Sequence, residues 1–263
     1  MKISVIIPVY NAQNTIVRAI ESVINQTVKP FEIIIINDGS TDKSKEIVEE
    51  FIRIINPQAI NIKLINKENG GVSSARNQGF YHSKGSLFAL LDSDDIWSPE
   101  KLERQLEILE LNPEIDFLGC ARNNEKLSIL GKKIDSLHQS TVKELLIKMH
   151  PQTSTAIFKR KLYDDFGGYN EDMTHAEDGN LWIHYCSKSK FYYLPESLVI
   201  TGEGKPSFGH SGLSANLRAM QLGNDFMLIN AMKEKIISKS FFCLIYALSK
   251  VKYIRRLLIV KFR

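Results

Sequence analysis

Phe88-Ala89-Leu90-Leu91-Asp92-Ser93-Asp94-Asp95 is where this chain turns abruptly from apolar to acidic, with three carboxylates in four residues. A short apolar run of this kind reads as a buried strand, and the acids mark its carboxyl end. In open α/β sheets, ligands sit outside the carboxyl ends of the strands. Hard cations such as Mn²⁺ or Mg²⁺ take oxygen ligands and are shared between one or two carboxylates and substrate phosphates. Taken alone, the stretch also reads as a solvated turn capping a helix that starts near Ser98-Pro99.

Working outward, residues 1–111 alternate strand and helix patterns, which predicts an α/β fold with a mostly parallel central sheet flanked by helices. Strands are expected at 3–7, 31–36, 62–65 and 87–91, the first stopped by Pro8. Helices are expected at 15–25, 42–51 with Asp42 as cap, 71–83 and 99–111. The continuous β-branched run at 31–36 suits a strand buried on both faces. After Asn112-Pro113 the pattern loosens: strands at 116–120 and 154–158, helices at 142–149, 177–186 and 213–232, and a Gly-rich loop at 202–212. The implied organisation is one α/β body over 1–212, changing character at about 111, and a helical basic extension over 213–263.

The other strand ends are polar too. Pro8-Val9-Tyr10-Asn11 closes the first, Asn37-Asp38-Gly39-Ser40 the second, and Asn66-Lys67-Glu68-Asn69-Gly70-Gly71 the third. This clustering is what a ligand crevice requires. Tyr10 is suited to cover a base, and Asp38 to accept hydrogen bonds from a nucleobase or ribose. Gly70-Gly71 opens the helix that carries Arg76, where free N–H groups and a cation would face phosphate. Each segment by itself is also an ordinary turn or helix start. No Gly-x-Gly-x-x-Gly follows the first strand and no Gly-x-x-x-x-Gly-Lys-Ser/Thr occurs, which disfavours a dinucleotide-binding domain and a P-loop.

Together these segments resemble the inverting glycosyltransferase family 2, with its A-type nucleotide-sugar-binding fold. The resemblance is carried by Val5-Ile6-Ile7-Pro8-Val9-Tyr10-Asn11, the run from Glu32 to Ser40, Asn69-Gly70-Gly71-Val72-Ser73-Ser74-Ala75-Arg76-Asn77 and Leu90-Leu91-Asp92-Ser93-Asp94-Asp95. It continues through Phe166-Gly167-Gly168-Tyr169 and Glu177-Asp178-Gly179-Asn180-Leu181-Trp182, and fades beyond residue 186. It implies that Pro8, Tyr10 and Asp38 line a nucleoside pocket, with Asn66 and Arg76 nearby. It further implies that Asp92 meets the ribose or donor sugar, and that Asp94, with Asp92, holds Mn²⁺ or Mg²⁺ on the diphosphate. Asp178 is implied as catalytic base, with Glu177 orienting the acceptor or supporting that base. Asn37 departs from the Asp common in the family.

The implied reaction moves a single sugar from a nucleoside-diphosphate donor, UDP-linked in the simplest reading, to an acceptor hydroxyl. A cation near Asp94 would offset the leaving diphosphate, and a carboxylate would take the acceptor proton. The expected acceptor is a surface glycan of O-antigen or capsule type, carried on a polyprenyl diphosphate at the cytoplasmic face of the inner membrane. A teichoic-type polymer or protein acceptor is the alternative substrate, and an inactive nucleotide-sugar-binding module the alternative class. The Gly-rich loop reads either as a lid, with His210 or Lys205 reaching the metal or diphosphate, or as an ordinary surface loop. The resemblance makes residues 1–212 a catalytic domain, with a donor half to about 111 and an acceptor half after it. His175 would border the acceptor.

Bulk properties agree with a globular protein: 43% hydrophobic and 24% charged residues, and three well-separated cysteines that suggest a reducing compartment. No signal peptide or bilayer-spanning stretch is read. Net charge is +4, but residues 233–263 carry nine Lys or Arg against Glu234, leaving −4 for residues 1–232. Basic and apolar residues alternate through 241–262, so the tail is expected to be an interfacial helix on anionic lipid, with packing on its own domain or a second subunit as the alternative. Nucleic acid is not an expected partner, since few aromatics line the basic stretch. Donor sugar, linkage and oligomeric state are open.

Overall fold

The computed structural model describes residues 1–55, 60–202, 209 and 212–262. Its first half follows the expected alternation: β1 Ile3–Val9, α1 Ile16–Ile24, β2 Glu32–Asp38, α2 Ser44–Ile54, β3 Asn61–Lys67, α3 Gly71–His82 and β4 Leu87–Leu90. Pairings β3-β2, β2-β1 and β1-β4 are all parallel. Pro8 does not stop β1. Lys2 and Ile6 carbonyls accept from Leu87 and Leu91 on the β4 side. By alternation the missing N–H of Pro8 faces that same side, where the ladder has ended at Leu90.

The second half comprises β5 Ile96–Trp97, α4 Lys101–Leu111, β6 Phe117–Arg122, β7 Ser128–Ile129, β8 Lys132–Lys133, β9 His138–Gln139, α5 Val142–Ile147 and β10 Ile157–Lys159. Then come α6 Arg160–Phe166, α7 Glu177–Lys188, β11 Phe191–Ile200, α8 Leu217–Lys233 and α9 Lys239–Lys261. Among the described residues, β3-β2-β1-β4-β10-β6-β11-β5 form one sheet, with β9 added on β11 and β7-β8 a separate hairpin. β10 runs antiparallel to both β4 and β6, so the sheet is mixed beyond β4. The strand expected at 154–158 begins later, because Thr153–Thr155 forms a 3-10 turn. β11 has no counterpart among the expected strands. Its register slips between Leu194 and Ser197 and again before Val199, around Pro195, and a bulged strand loses the two-residue period.

Alternation along the strands builds two cores. Ile3, Val5, Ile7 and Val9 pack with Ile20 of α1 and Leu102 of α4. Ile6, Phe88 and Leu90 face the opposite layer, with Phe80 of α3 and Trp182 of α7. Phe117 stacks on Phe191 at 3.9 Å within that aromatic layer. Met227, Leu228 and Ala231 of α8 are buried in the same cluster, whereas α9 buries Ile245 alone. Residues 213–262 therefore begin as part of the core and end as a surface helix. The three cysteines are free, as expected.

Candidate active site

The acids at the end of β4 and the acids at the start of α7 lie 85 residues apart in sequence and meet on one side chain, Arg76 of α3. Its Nη2 donates to Asp92 Oδ1 at 2.7 Å, and its Nη1 donates to Asp178 Oδ1 at 2.8 Å and to Glu177 Oε1 at 3.2 Å. Burial works against the guanidinium's charge, but Asp178 and Asp92 outweigh it and hold its pKa well above the ordinary value. Its Nε has no hydrogen-bond partner among the described residues, and the Tyr169 ring lies 5.0 Å from its Cζ. Next to it, the Asn77 side chain accepts from Tyr169 N and donates to Tyr169 O. One turn of α3 thus ties the Gly167-Gly168-Tyr169 segment, β4 and α7 together.

The two acids of the α7 pair differ. Glu177 is buried, and burial together with Asp178 pushes its pKa up to about 7 against the pull of Arg76. Asp178 keeps 31% of its side chain exposed, so it is the carboxylate that an incoming molecule can reach. Its Oδ2 accepts from Thr153 Oγ1, which fixes both oxygens. The start of α7 is set by tight backbone contacts. Ala176 adopts φ +58°, and Gly223 of α8 sits where a Cβ would lie 2.2 Å from the His175 carbonyl oxygen. His175 borders a pocket of about 230 Å³ with Met173, Leu222 and Phe226.

At the β4 end, Asp92 N donates to Ser154 Oγ, and Gln152 Nε2 reaches Asp92 Oδ2 at 3.4 Å and Asp95 Oδ2 at 3.1 Å. Asp95 also accepts from Ser154 Oγ and from Gly202 N. Burial, then Asp92 and Asp94, push Asp95 up to about 7, which marks a surplus of negative charge. Asp94 is exposed and Asp92 a quarter exposed. No group of three or more His, Cys, Asp or Glu among the described residues is arranged to hold a metal ion. Oxygen donors from one or two carboxylates suit Mg²⁺ or Mn²⁺ when diphosphate and water complete the shell, so the residues fit such an ion.

The strand ends expected to take a nucleoside are closed on one another by hydrogen bonds. Asp38 Oδ1 accepts from Lys67 Nζ at 2.5 Å and Gly70 N at 3.0 Å, and Oδ2 accepts from Gly71 N at 2.8 Å. The N–H groups of Gly70 and Gly71, expected to be free for phosphate, are therefore spent on Asp38. Arg76, expected near nucleoside or phosphate, is paired here with Asp92, Asp178 and Glu177. Asn66 Oδ1 accepts from Asn37 Nδ2 at 2.9 Å, so Asn37 acts as a bridge between β2 and β3. Pro8 is buried, while Tyr10 is half exposed at the end of β1. His210 and Lys205 lie outside the described residues.

With this geometry in hand, the comparison with known families is direct: the family model described as glycosyl transferase family 2 matches residues 4–167. The chain belongs to glycosyl transferase family 2. An uncharacterized glycosyltransferase of Rickettsia felis is 36% identical over 201 residues, 75% of this chain and 32% of that protein. The glycosyltransferase EpsJ of Bacillus subtilis is 29% identical over 218 residues, 78% of this chain and 62% of that protein. The chain thus spans from about a third to under two thirds of these relatives. Among solved structures, S. aureus TarS 1-349 in complex with UDP-GlcNAc gives a TM-score of 0.69 at 21% identity, covering 95% of this chain and 71% of that one. Mannosyltransferase PcManGT of Pyrobaculum calidifontis, in complex with GDP-Man and Mn²⁺, gives 0.69 at 16% identity, covering 94% and 69%. The fold of this family 2 chain is that of these A-type enzymes.

Sequence reading of this family 2 chain missed Lys67, Gln152, Thr153 and Ser154. The last three sit in a polar run, Gln152-Thr153-Ser154-Thr155, directly before an apolar strand. That run was the available signal, but nothing local links it to Asp92 or Asp178.

Proposed function

We propose that this glycosyltransferase transfers one sugar from a nucleoside-diphosphate donor, UDP-linked, to an acceptor hydroxyl with inversion at the anomeric carbon. The observation that carries this reading is the shared guanidinium: Arg76 holds the donor-side acid Asp92 and the exposed acid Asp178 in one network. Donor and acceptor machinery are thereby fixed relative to one another, which is the positioning that a direct displacement needs. The carboxylate of Asp178, oriented by Arg76 and Thr153, takes the proton of the attacking hydroxyl, a contribution of about 10²–10⁴ in rate. Glu177 beneath it supports that geometry. Asp94 and Asp92 would hold Mn²⁺ or Mg²⁺, which supplies charge compensation for the diphosphate as it leaves. Asp38, Asn66, Pro8 and Tyr10 bound the nucleoside side, and Tyr10 is the exposed aromatic available to stack on a base.

Support for the donor class comes from the structural neighbours, which were solved with UDP, UDP-GlcNAc or GDP-Man. We place the acceptor on a polyprenyl-diphosphate-linked surface glycan, with the chain peripheral at the cytoplasmic membrane face. The catalytic body is read as residues 1–212 and the helical extension as 213–263.

Calorimetric binding of UDP, GDP, CDP and dTDP, with and without Mn²⁺, tests the donor site on wild type and Asp94→Ala. Mn²⁺-dependent UDP binding that is lost in Asp94→Ala is the expected result. Binding of no nucleotide by folded protein overturns the reading. Proton NMR of the transferred sugar then reports retention or inversion.

A further inference from the structure

The β7-β8 hairpin and α9, which no part of the active site uses, stand on two sides of one groove of about 480 Å³. The hairpin tip is Leu130, 82% exposed at φ +50°, followed by Gly131 at φ +83°. Lys132 and Lys133 are exposed beside it. Across the groove, Lys252, Arg255 and Arg256 of α9 face Lys148, and among the described residues no Asp or Glu lines the space. The Lys252 ammonium donates to the Ile147 carbonyl oxygen, and burial together with Arg256 and Lys148 lowers its pKa. Cations are thus crowded here without an acid to answer them.

Beside the groove, α9 and the Phe262 that caps it carry a row of exposed apolar residues: Leu244, Val251, Ile254, Leu258 and Phe262. Their spacing of seven, three, four and four keeps them on one helical face. No described helix is long and apolar enough to cross a membrane. Exposed apolar side chains with cations beside them have the chemistry that meets a lipid interface.

We propose that the β7-β8 hairpin and the outer half of α9 form one two-part surface that docks on an anionic lipid bilayer. Leu130 and the apolar row of α9 enter the interfacial layer, while Lys132, Lys133, Arg255 and Lys261 meet phosphate headgroups. The choice of lipid as partner rests on the membrane-side reading above, but the hairpin's part in it does not follow from the basic tail. Charge complementarity decides between occupants. A two-fold contact with a second copy sets the same patch against itself, which would oppose cation to cation. An acidic protein would answer the charges and leave the protruding Leu130 without a reason. Two glycines make separate contacts, at the β4 end and at α9. Gly202 N donates to Asp95, and Gly209 packs so closely on α9 that a Cβ would lie 2.4 Å from Val260 Cγ2.

The test is co-sedimentation of the full chain with vesicles of phosphatidylcholine alone or mixed equally with phosphatidylglycerol. It compares wild type, a hairpin variant (Leu130→Asp, Lys132→Glu, Lys133→Glu) and a helix variant (Ile254→Asp, Arg255→Glu). Wild type is expected to partition onto the anionic vesicles only. Both variants should bind at least about tenfold more weakly, from the loss of headgroup attraction at each cation, with unchanged melting temperatures and unchanged nucleotide binding. Full binding by the hairpin variant overturns the inference and leaves the tail acting alone. No binding by wild type overturns both it and the membrane reading. A wild-type dimer in solution that the hairpin variant converts to monomer assigns the surface to a second copy and overturns it as well.

Discussion

Arg76→Met removes the single cation on which three carboxylates converge. The guanidinium is 4% exposed and pairs with Asp92, Asp178 and Glu177 at 2.7, 2.8 and 3.2 Å. Breaking a buried pair by deleting one partner costs about 3–5 kcal/mol, because the other charge is stranded. Asp92 and Asp178 keep 25% and 31% exposure, so water recovers part of that loss. The expected destabilisation is about 2–4 kcal/mol. Its pH dependence is the sharper signature. In wild type, burial and Asp178 hold Glu177 near 7, with Arg76 pulling it down. Without Arg76 the folded-state pKa rises further, so above pH 7 the variant retains a proton that wild type has lost. The stability gap therefore widens as pH rises, by up to about 1.4 kcal/mol per unit. Urea unfolding of both proteins at about pH 6.5 and 8.5 measures this. A gap below about 1 kcal/mol, or one that is no larger at the higher pH, refutes the idea that Arg76 neutralises this cluster.

Three further outcomes follow from the same geometry. Asp178→Asn should lower turnover by about 10²–10⁴ while leaving nucleotide affinity and thermal stability near wild type, read by steady-state kinetics and calorimetry; unchanged turnover assigns the base elsewhere. Lys101 is fully buried over the Trp97 ring, and burial pulls its pKa down to about 8 against a weaker opposing pull from Cys120. The unfolded chain then binds more protons than the folded one above pH 8, so stability should climb toward the ordinary lysine value, and Lys101→Met should flatten that slope in melting scans. Gly119→Ala would place a Cβ 2.1 Å from Pro151 Cγ, beside the Gln152–Thr155 turn, and should cost about 1–3 kcal/mol in urea unfolding.

The parallel half of the sheet was legible because its signals are local. Runs such as Ile33–Ile36 and Phe88–Leu91 declare buried strands, and apolar spacing in α1 and α4 declares the helices that cover them. The second half was legible in part: β6, α5, α7 and α8 fall close to the expected ranges, while its short or broken strands do not announce themselves. β10 is three residues long, β11 is broken by a bulge at Pro195, and the β7-β8 hairpin is two residues a side. Of these only β10 was expected, over 154–158, and neither β11 nor the hairpin leaves a period long enough to read. The polar strand ends pointed to the right end of the sheet, but the expectation that Gly70 and Gly71 amides were free for phosphate failed, because Asp38 accepts from both.

Residue order alone determined the fold family, the acids at Asp92, Asp94 and Asp178, and the charge split between body and tail, since each is a property of a short segment. Only the tertiary structure decided that Arg76 joins Asp92 to Asp178 and Glu177, that Thr153 and Gln152 belong beside them, and that a hairpin stands across a groove from α9. Those facts depend on contacts between segments dozens of residues apart. Chain closure through β10 and α7 creates them, and no local pattern encodes which buried polar group will answer which.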